Sequence, residues 1–312
     1  MQDFVKDSQR SDGSFSNLVV KLKYNELENY LVVSRDSGSI DIWNTGKPKS
    51  KREIKAHKYR ANSITFTSDG KAFFSSSSFE NSTKLWNAET GKLVHWIRDM
   101  TGPVGATSNN QFYVIANSGQ FRLFDNKQGL LLPEKYTSEG VVTAIAADAS
   151  SGLIAIGTES GTLELWKYSE NKGLPSIKKV SSFKPYETGN WVVGLQFSAS
   201  GKALYSVARF GSIDEWSPST LEKRRSAPTL LKYVYSTAFS PDGNLLGLAG
   251  TKEKVGTGAG SVEVISLATG KSSAFQVNTN LAVVEFLPPV SSLIVSQNRS
   301  AGVFVLPHEP SP

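Results

Sequence analysis

The chain contains no cysteine among its 312 residues. Disulfides, cysteine-held zinc and thiol nucleophiles are therefore excluded. Histidine is scarce as well: His57, His95 and His308 are the only three, and they lie far apart. A catalytic base must sit near its partner, and a His-based metal site needs closely spaced ligands. Neither pattern is present, so no catalytic residue, metal or cofactor is expected. Long apolar runs are missing too. None approaches the roughly 20 residues that span a bilayer, so no membrane insertion is expected. Met1 to Phe15 is polar and has no apolar signal core. A cytoplasmic chain is the simplest expectation, with a nuclear chain, or an exported one whose signal has been trimmed, left open. Gly270-Lys271-Ser272 is the one fragment like a phosphate loop, but Ile265 stands where the first glycine belongs.

What is present is a mild basic surplus, +6 with a pI near 9.2, and 26 glycines. The charge is compatible with acidic partners or nucleic acid without requiring either. The glycines imply many turns.

One pattern recurs: a small residue, alternating apolar residues, then a bulky one. It reads Gly38-Ser39-Ile40-Asp41-Ile42-Trp43 and returns with its last position at Trp86, Phe124, Trp166, Trp216, Ile265 and Leu306. The spacings are 43, 38, 42, 50, 49 and 41 residues. That is the period of a four-stranded propeller blade. Upstream of each copy lies an apolar run such as Tyr30-Leu31-Val32-Val33 or Leu153-Ile154-Ala155-Ile156. Further upstream is another, such as Ile64-Thr65-Phe66 or Leu195-Gln196-Phe197. Ser68-Asp69-Gly70 and Pro241-Asp242-Gly243 supply hairpin turns between these runs. Polar segments at Arg52 to His57, Lys92 to Arg98 and Glu222 to Ala227 read as outer strands, whose lysines and arginines discourage edge pairing. The last period has no room for its fourth strand. Residues from about 2 to 8, around Asp3-Phe4-Val5-Lys6, are expected to supply it and close the ring. No linker divides the sequence, so residues 1–312 are expected to form one all-β domain, a seven-bladed propeller of four-stranded antiparallel blades.

This pattern resembles the WD-repeat family over nearly the whole chain. Trp43, Trp86, Trp166 and Trp216 carry the resemblance, with the turns Thr45-Gly46-Lys47, Thr90-Gly91-Lys92 and Thr269-Gly270-Lys271. The repeats are divergent. The family's opening Gly-His survives only as Ala56-His57. Its turn Asp is matched by Asp36 and Glu159, whereas Phe79, Asn117, Arg209, Gly258 and Arg299 fill the other turns. In the family, His and Asp join Ser/Thr and Trp in a buried hydrogen-bond network. Here only the second blade is expected to build part of it, from His57 and Glu80.

The resemblance implies a binding scaffold or adaptor rather than an enzyme, with a protein or peptide docked on a loop face, alone or within a larger complex. The loops expected on that face carry Arg35, Lys58, Tyr59, Arg60, Tyr186, Trp191, Arg209, Phe210, Tyr233 and Arg299. Arg, Tyr and Trp are the residue types that most often anchor interfaces. Arg209 and Arg299 replace a buried Asp of the family, and a guanidinium is too costly to bury alone. Both are expected to face solvent or a ligand. The alternative is nucleic-acid or ribonucleoprotein binding through the basic surplus, including Lys47, Lys49, Lys51 and Arg52 and the run Lys223-Arg224-Arg225. Thr251 to Ser261 is expected to be a tolerated Gly-rich insertion in the sixth blade.

Overall fold

A computed structural model describes residues 3–5, 17–47, 50–107, 111–253, 259–279, 281–288, 292–298 and 300–305. Its secondary structure is strand and turn, arranged as seven antiparallel sheets. Blade 1 is Val19–Asn25, Tyr30–Arg35, Ser39–Asn44 and Lys51–Lys55, paired in that order from the centre outwards. Blades 2, 4, 5 and 6 repeat this meander from Ser63–Phe66, Val142–Asp148, Val192–Phe197 and Tyr233–Phe239. The innermost strand of each blade packs against that of the next, and Val19–Asn25 packs against Val284–Leu287 of blade 7. The ring is therefore closed.

Seven buried apolar clusters fill the seven interfaces between neighbouring blades. The second strand of blade 1 shows why its sequence is a continuous apolar run rather than an alternating one. Leu31 and Val33 pack towards blade 7, while Val32 packs towards blade 2. Successive strand residues point to opposite faces. A sheet covered on both faces therefore needs apolar residues at every position. Trp86, Trp166 and Trp216 are buried in these same interfaces.

Two blades depart from the plain meander. In blade 3 the outer strand is split into Leu130–Leu131 and Tyr136–Thr137, both paired with Gln120–Asp125. Pro133 lies between them and has no N–H to give a ladder. In blade 7 the outer strand is Asp3–Val5, paired with Ser300–Val305 through Asp3↔Gly302 and Val5↔Ala301. The expected ring closure by the N-terminal segment is thus present at Asp3–Val5, and the rest of the range read from sequence lies outside the described residues. The insertion in blade 6 separates Leu245–Thr251 from Gly260–Ser266, and residues 254–258 of it lie outside the described residues.

Candidate functional site

Propeller loops emerge at two faces. One face carries the turns between second and third strands together with the blade-to-blade connections. In blades 1, 4 and 5 these two loop types are held together by one device. Gly38, Gly161 and Gly211 adopt φ of +83°, +84° and +82°. A Cβ at these positions would sit 2.2 Å from the His57 carbonyl oxygen, 2.5 Å from that of Tyr186 and 2.3 Å from that of Leu231. Only glycine allows the turn to lie flat against the neighbouring connection.

Beneath this face lie buried polar networks. In blade 2, His57 Nε2 meets Ser75 Oγ at 2.7 Å, and Trp86 Nε1 donates to the same oxygen at 2.9 Å. His57 Nδ1 meets Glu80 Oε2 at 2.7 Å, and Lys84 Nζ pairs with Glu80 Oε1 at 2.8 Å. Blade 5 builds a second such network, which corrects the expectation that blade 2 alone could. Tyr186 takes the place of the histidine: its hydroxyl lies 2.6 Å from Ser206 Oγ and donates to Asp214 Oδ2 at 2.8 Å. Trp216 Nε1 donates to Ser206 Oγ at 2.7 Å. Burial lowers the His57 pKa, and the Lys84 charge adds to this against the hydrogen bond to Glu80. Burial acts to raise Glu80, but hydrogen bonds from Lys84 and His57 outweigh it and hold Glu80 below the usual value. The Tyr186 phenol is pushed up by burial and by the Asp214 carboxylate.

The residues expected on the face divide three ways. Arg35 and Tyr186 are corrected: both are buried and point inwards. Arg35 Nη2 pairs with Asp41 Oδ2 at 2.9 Å, and its Nη1 donates to the Asn17 carbonyl. An arginine with a buried carboxylate beside it has no need of solvent. Arg299 lies outside the described residues.

The other seven gather into two surface patches. The first is at blade 2, where Tyr59 lies 6.1 Å from Phe79, Lys58 Nζ stands 5.3 Å from the Tyr59 ring, and Arg60 stacks 5.0 Å over Phe79. The second joins blades 5 and 6, where Arg209 stacks 4.8 Å over Trp191 and Phe210 meets Tyr233 edge-on at 5.5 Å. Asn190 Oδ1 accepts the Phe210 backbone N–H at 2.8 Å and fixes that loop. Tyr59, Phe79, Trp191 and Phe210 are all exposed, as are Leu230 and Leu281 in later connections. Phe79, Leu230 and Leu281 were missed from sequence. Phe79 had a signal, since it fills the turn position where the family keeps Asp; the leucines had none.

The opposite face has a polar cleft of about 570 Å³ lined by Asn29, Asn44, Lys47, Lys71 and Asn87 among others. Two of its asparagines are occupied by their own turns: Asn44 Oδ1 accepts from Gly46 N and Asn87 Oδ1 from Thr90 N. The basic run in blade 5 is likewise engaged, with Lys223 on Asp214 at 3.0 Å and Arg225 on Glu215. No group of three His, Asp or Glu among the described residues could hold a metal.

Comparison with known proteins agrees with this geometry. The WD domain, G-beta repeat family model matches residues 48–87. Human apoptotic protease-activating factor 1 is 26% identical over 223 residues, 69% of this chain. The match covers 17% of that protein's length. The β-propeller domain of Myceliophteria thermophila Cps50 (Swd1) superposes with a TM-score of 0.73 at 16% identity, covering 92% of this chain and 97% of that one. The chain is a seven-bladed β-propeller, and residues 48–87 within it match the WD domain, G-beta repeat.

Proposed function

We propose that this protein is a non-enzymatic scaffold that docks a protein or peptide segment on the face built from the second-to-third strand turns and the blade-to-blade connections. One observation carries the reading. Four large aromatic side chains, Tyr59, Phe79, Trp191 and Phe210, stay exposed there, whereas among the other described aromatics Trp96 alone is exposed. Three of the four lie beside a stacked cation. Exposed aromatics in a rigid frame are the usual anchors of interfaces. The loops are pinned by the turn glycines and buried networks, so little conformational entropy is lost on binding. WD-repeat propellers generally serve as protein-interaction scaffolds, which supports the same reading.

The test is a pull-down with the purified chain as bait, with and without nuclease, at low and high salt. Baits carrying Phe79→Ala or Trp191→Ala are compared with wild type, after melting curves show that they fold alike. A nuclease-resistant protein captured by wild type and lost with the variants supports the reading. Capture that disappears with nuclease, or that neither variant affects, refutes it.

A further inference from the structure

The cations that stack on aromatic rings fall into two groups. Lys51 over Trp43, Lys84 over Trp96, Lys179 over Trp166 and Lys223 over Trp216 each have a carboxylate within ion-pair distance: Asp41, Glu80, Glu139 with Glu164, and Asp214 respectively. Lys58, Arg60, Arg98 and Arg209 also stack on rings, yet none forms an ion pair among the described residues. The division is spatial. The paired lysines lie within the blades. The unpaired cations stand on the docking face or at its rim, Arg98 at the end of the blade 2 outer strand where it pairs in register with Ser82.

The nearest acid cannot neutralise the blade 2 patch. Glu80 adjoins Phe79, but one of its oxygens meets His57 at 2.7 Å and the other Lys84 at 2.8 Å. Lys58 and Arg60 are exposed, and each lies over a half-exposed ring. A ring beneath a cation holds it in place without cancelling its charge. A guanidinium seated over a ring keeps its N–H groups available for two parallel bonds to a carboxylate.

We infer that the segment docked on this face is an acidic peptide, whose Asp or Glu side chains pair with Lys58, Arg60 and Arg209 while its apolar side chains cover Tyr59, Phe79 and Trp191. This rests on the docking face proposed above and adds the chemistry of what docks. Carboxylates match the patch better than a polyphosphate backbone does. The cations are few, fixed and interleaved with apolar surface, whereas nucleic-acid affinity grows with the number of phosphates neutralised along a basic track.

Fluorescence anisotropy with purified protein tests the inference. The probes are a fluorescein-labelled peptide of Glu interspersed with Leu and Ser, its Gln-for-Glu counterpart, and a single-stranded oligonucleotide of equal charge. The Glu peptide is expected to bind at least about tenfold more tightly than the Gln peptide, and to weaken with salt. Lys58→Glu with Arg60→Glu should remove that preference, whereas Lys71→Glu, on the opposite face, should not. Equal affinity of the Glu and Gln peptides, loss only with Phe79→Ala, or absence of Glu-peptide binding up to about 1 mM overturns the acidic chemistry. Those outcomes leave the docking face itself to the pull-down. Tighter binding of the oligonucleotide than of the Glu peptide overturns both.

Discussion

Tyr186 stands in a connection where the family keeps a histidine, and its hydroxyl satisfies two buried groups at once, Ser206 and Asp214. Tyr186→Phe keeps the ring and its packing but removes that donor. A buried acceptor left without a partner costs about 1–3 kcal/mol, so urea unfolding should lose stability in that range. A variant that melts like wild type would show that the network is not formed. His57 predicts a pH dependence. Its folded pKa lies below the ordinary 6.5, so the unfolded chain binds a proton first as pH falls. Stability from this group is complete above 6.5 and is lost as pH drops below it towards the folded value. Glu80 is also lowered, from 4.5, so its contribution is lost only below 4.5, and the loss through His57 begins first as pH falls. Urea midpoints should therefore fall between about pH 7 and about 5 in wild type, and His57→Gln should flatten that slope. An unchanged slope would mean another group titrates. At this scale the sequence was half readable. His57 and Glu80 could be paired through the resemblance to WD repeats, but Tyr186 could not. No repeat motif marks it, and its inward direction is set by Asp214 across the blade.

Among the elements, the turns between second and third strands carry the strictest local demand. Gly161→Ala brings a Cβ to 2.5 Å from the Tyr186 carbonyl oxygen at φ +84°. Backbone cannot yield as a flexible side chain does, so conformational strain and overlap add, and a loss of about 3–5 kcal/mol is expected. Gly173 has φ +78° but nothing within 4 Å of its would-be Cβ. It lies in the hairpin between Leu163–Asn171 and Leu174–Phe183. Gly173→Ala should cost only the left-handed penalty, about 1–2 kcal/mol. Thermal melts of the two variants should differ clearly, and equal losses would remove the close approach as the cause. The outer strands show where element-scale reading fell short. Lys51–Lys55 and Lys223–Ala227 are the charged edges expected, and three aligned devices explain them. Lys51, Lys179 and Lys223 each lie over a third-strand tryptophan and reach the acid two residues before it. The blade 2 strand reverses the arrangement: Lys84 is on the third strand, and the outer strand exposes Leu93, Val94 and Trp96. Alternation alone reveals that strand but not which neighbour completes its chemistry.

At the scale of the ring, blade number and order were legible because they follow from the period of the bulky strand-end residues and from turn chemistry, both local in sequence. The composition of the proposed docking face was not, because side-chain direction in connections depends on which loops meet. Closure lies between these cases: the shortage of a fourth strand in blade 7 pointed to the N-terminal segment, and Asp3–Val5 occupies that edge. The seam is held elsewhere by the buried cluster of Leu22, Leu31, Val33, Leu287 and Ile294 and by Lys23, which reaches Glu285 at 3.1 Å. Burial raises the Glu285 pKa against the pull of Lys23 and lowers that of Lys21 beside them, so this polar pair adds little to the apolar seam. Each blade touches only its neighbours, so a defect at the seam should stay local in its first effects. Removing Met1 to Val5 strips Ser300–Val305 of its outer partner. Hydrogen exchange should then quicken by about tenfold or more in Ser300–Val305 and Ser292–Gln297, with a smaller rise in Val19–Asn25 across the seam. Leu163–Asn171, on the far side of the sequence of blades, should keep its protection while the melting temperature falls. A uniform rise across all seven blades would mean that the strand supports the ring globally, and no change in blade 7 would mean that three strands suffice to close it.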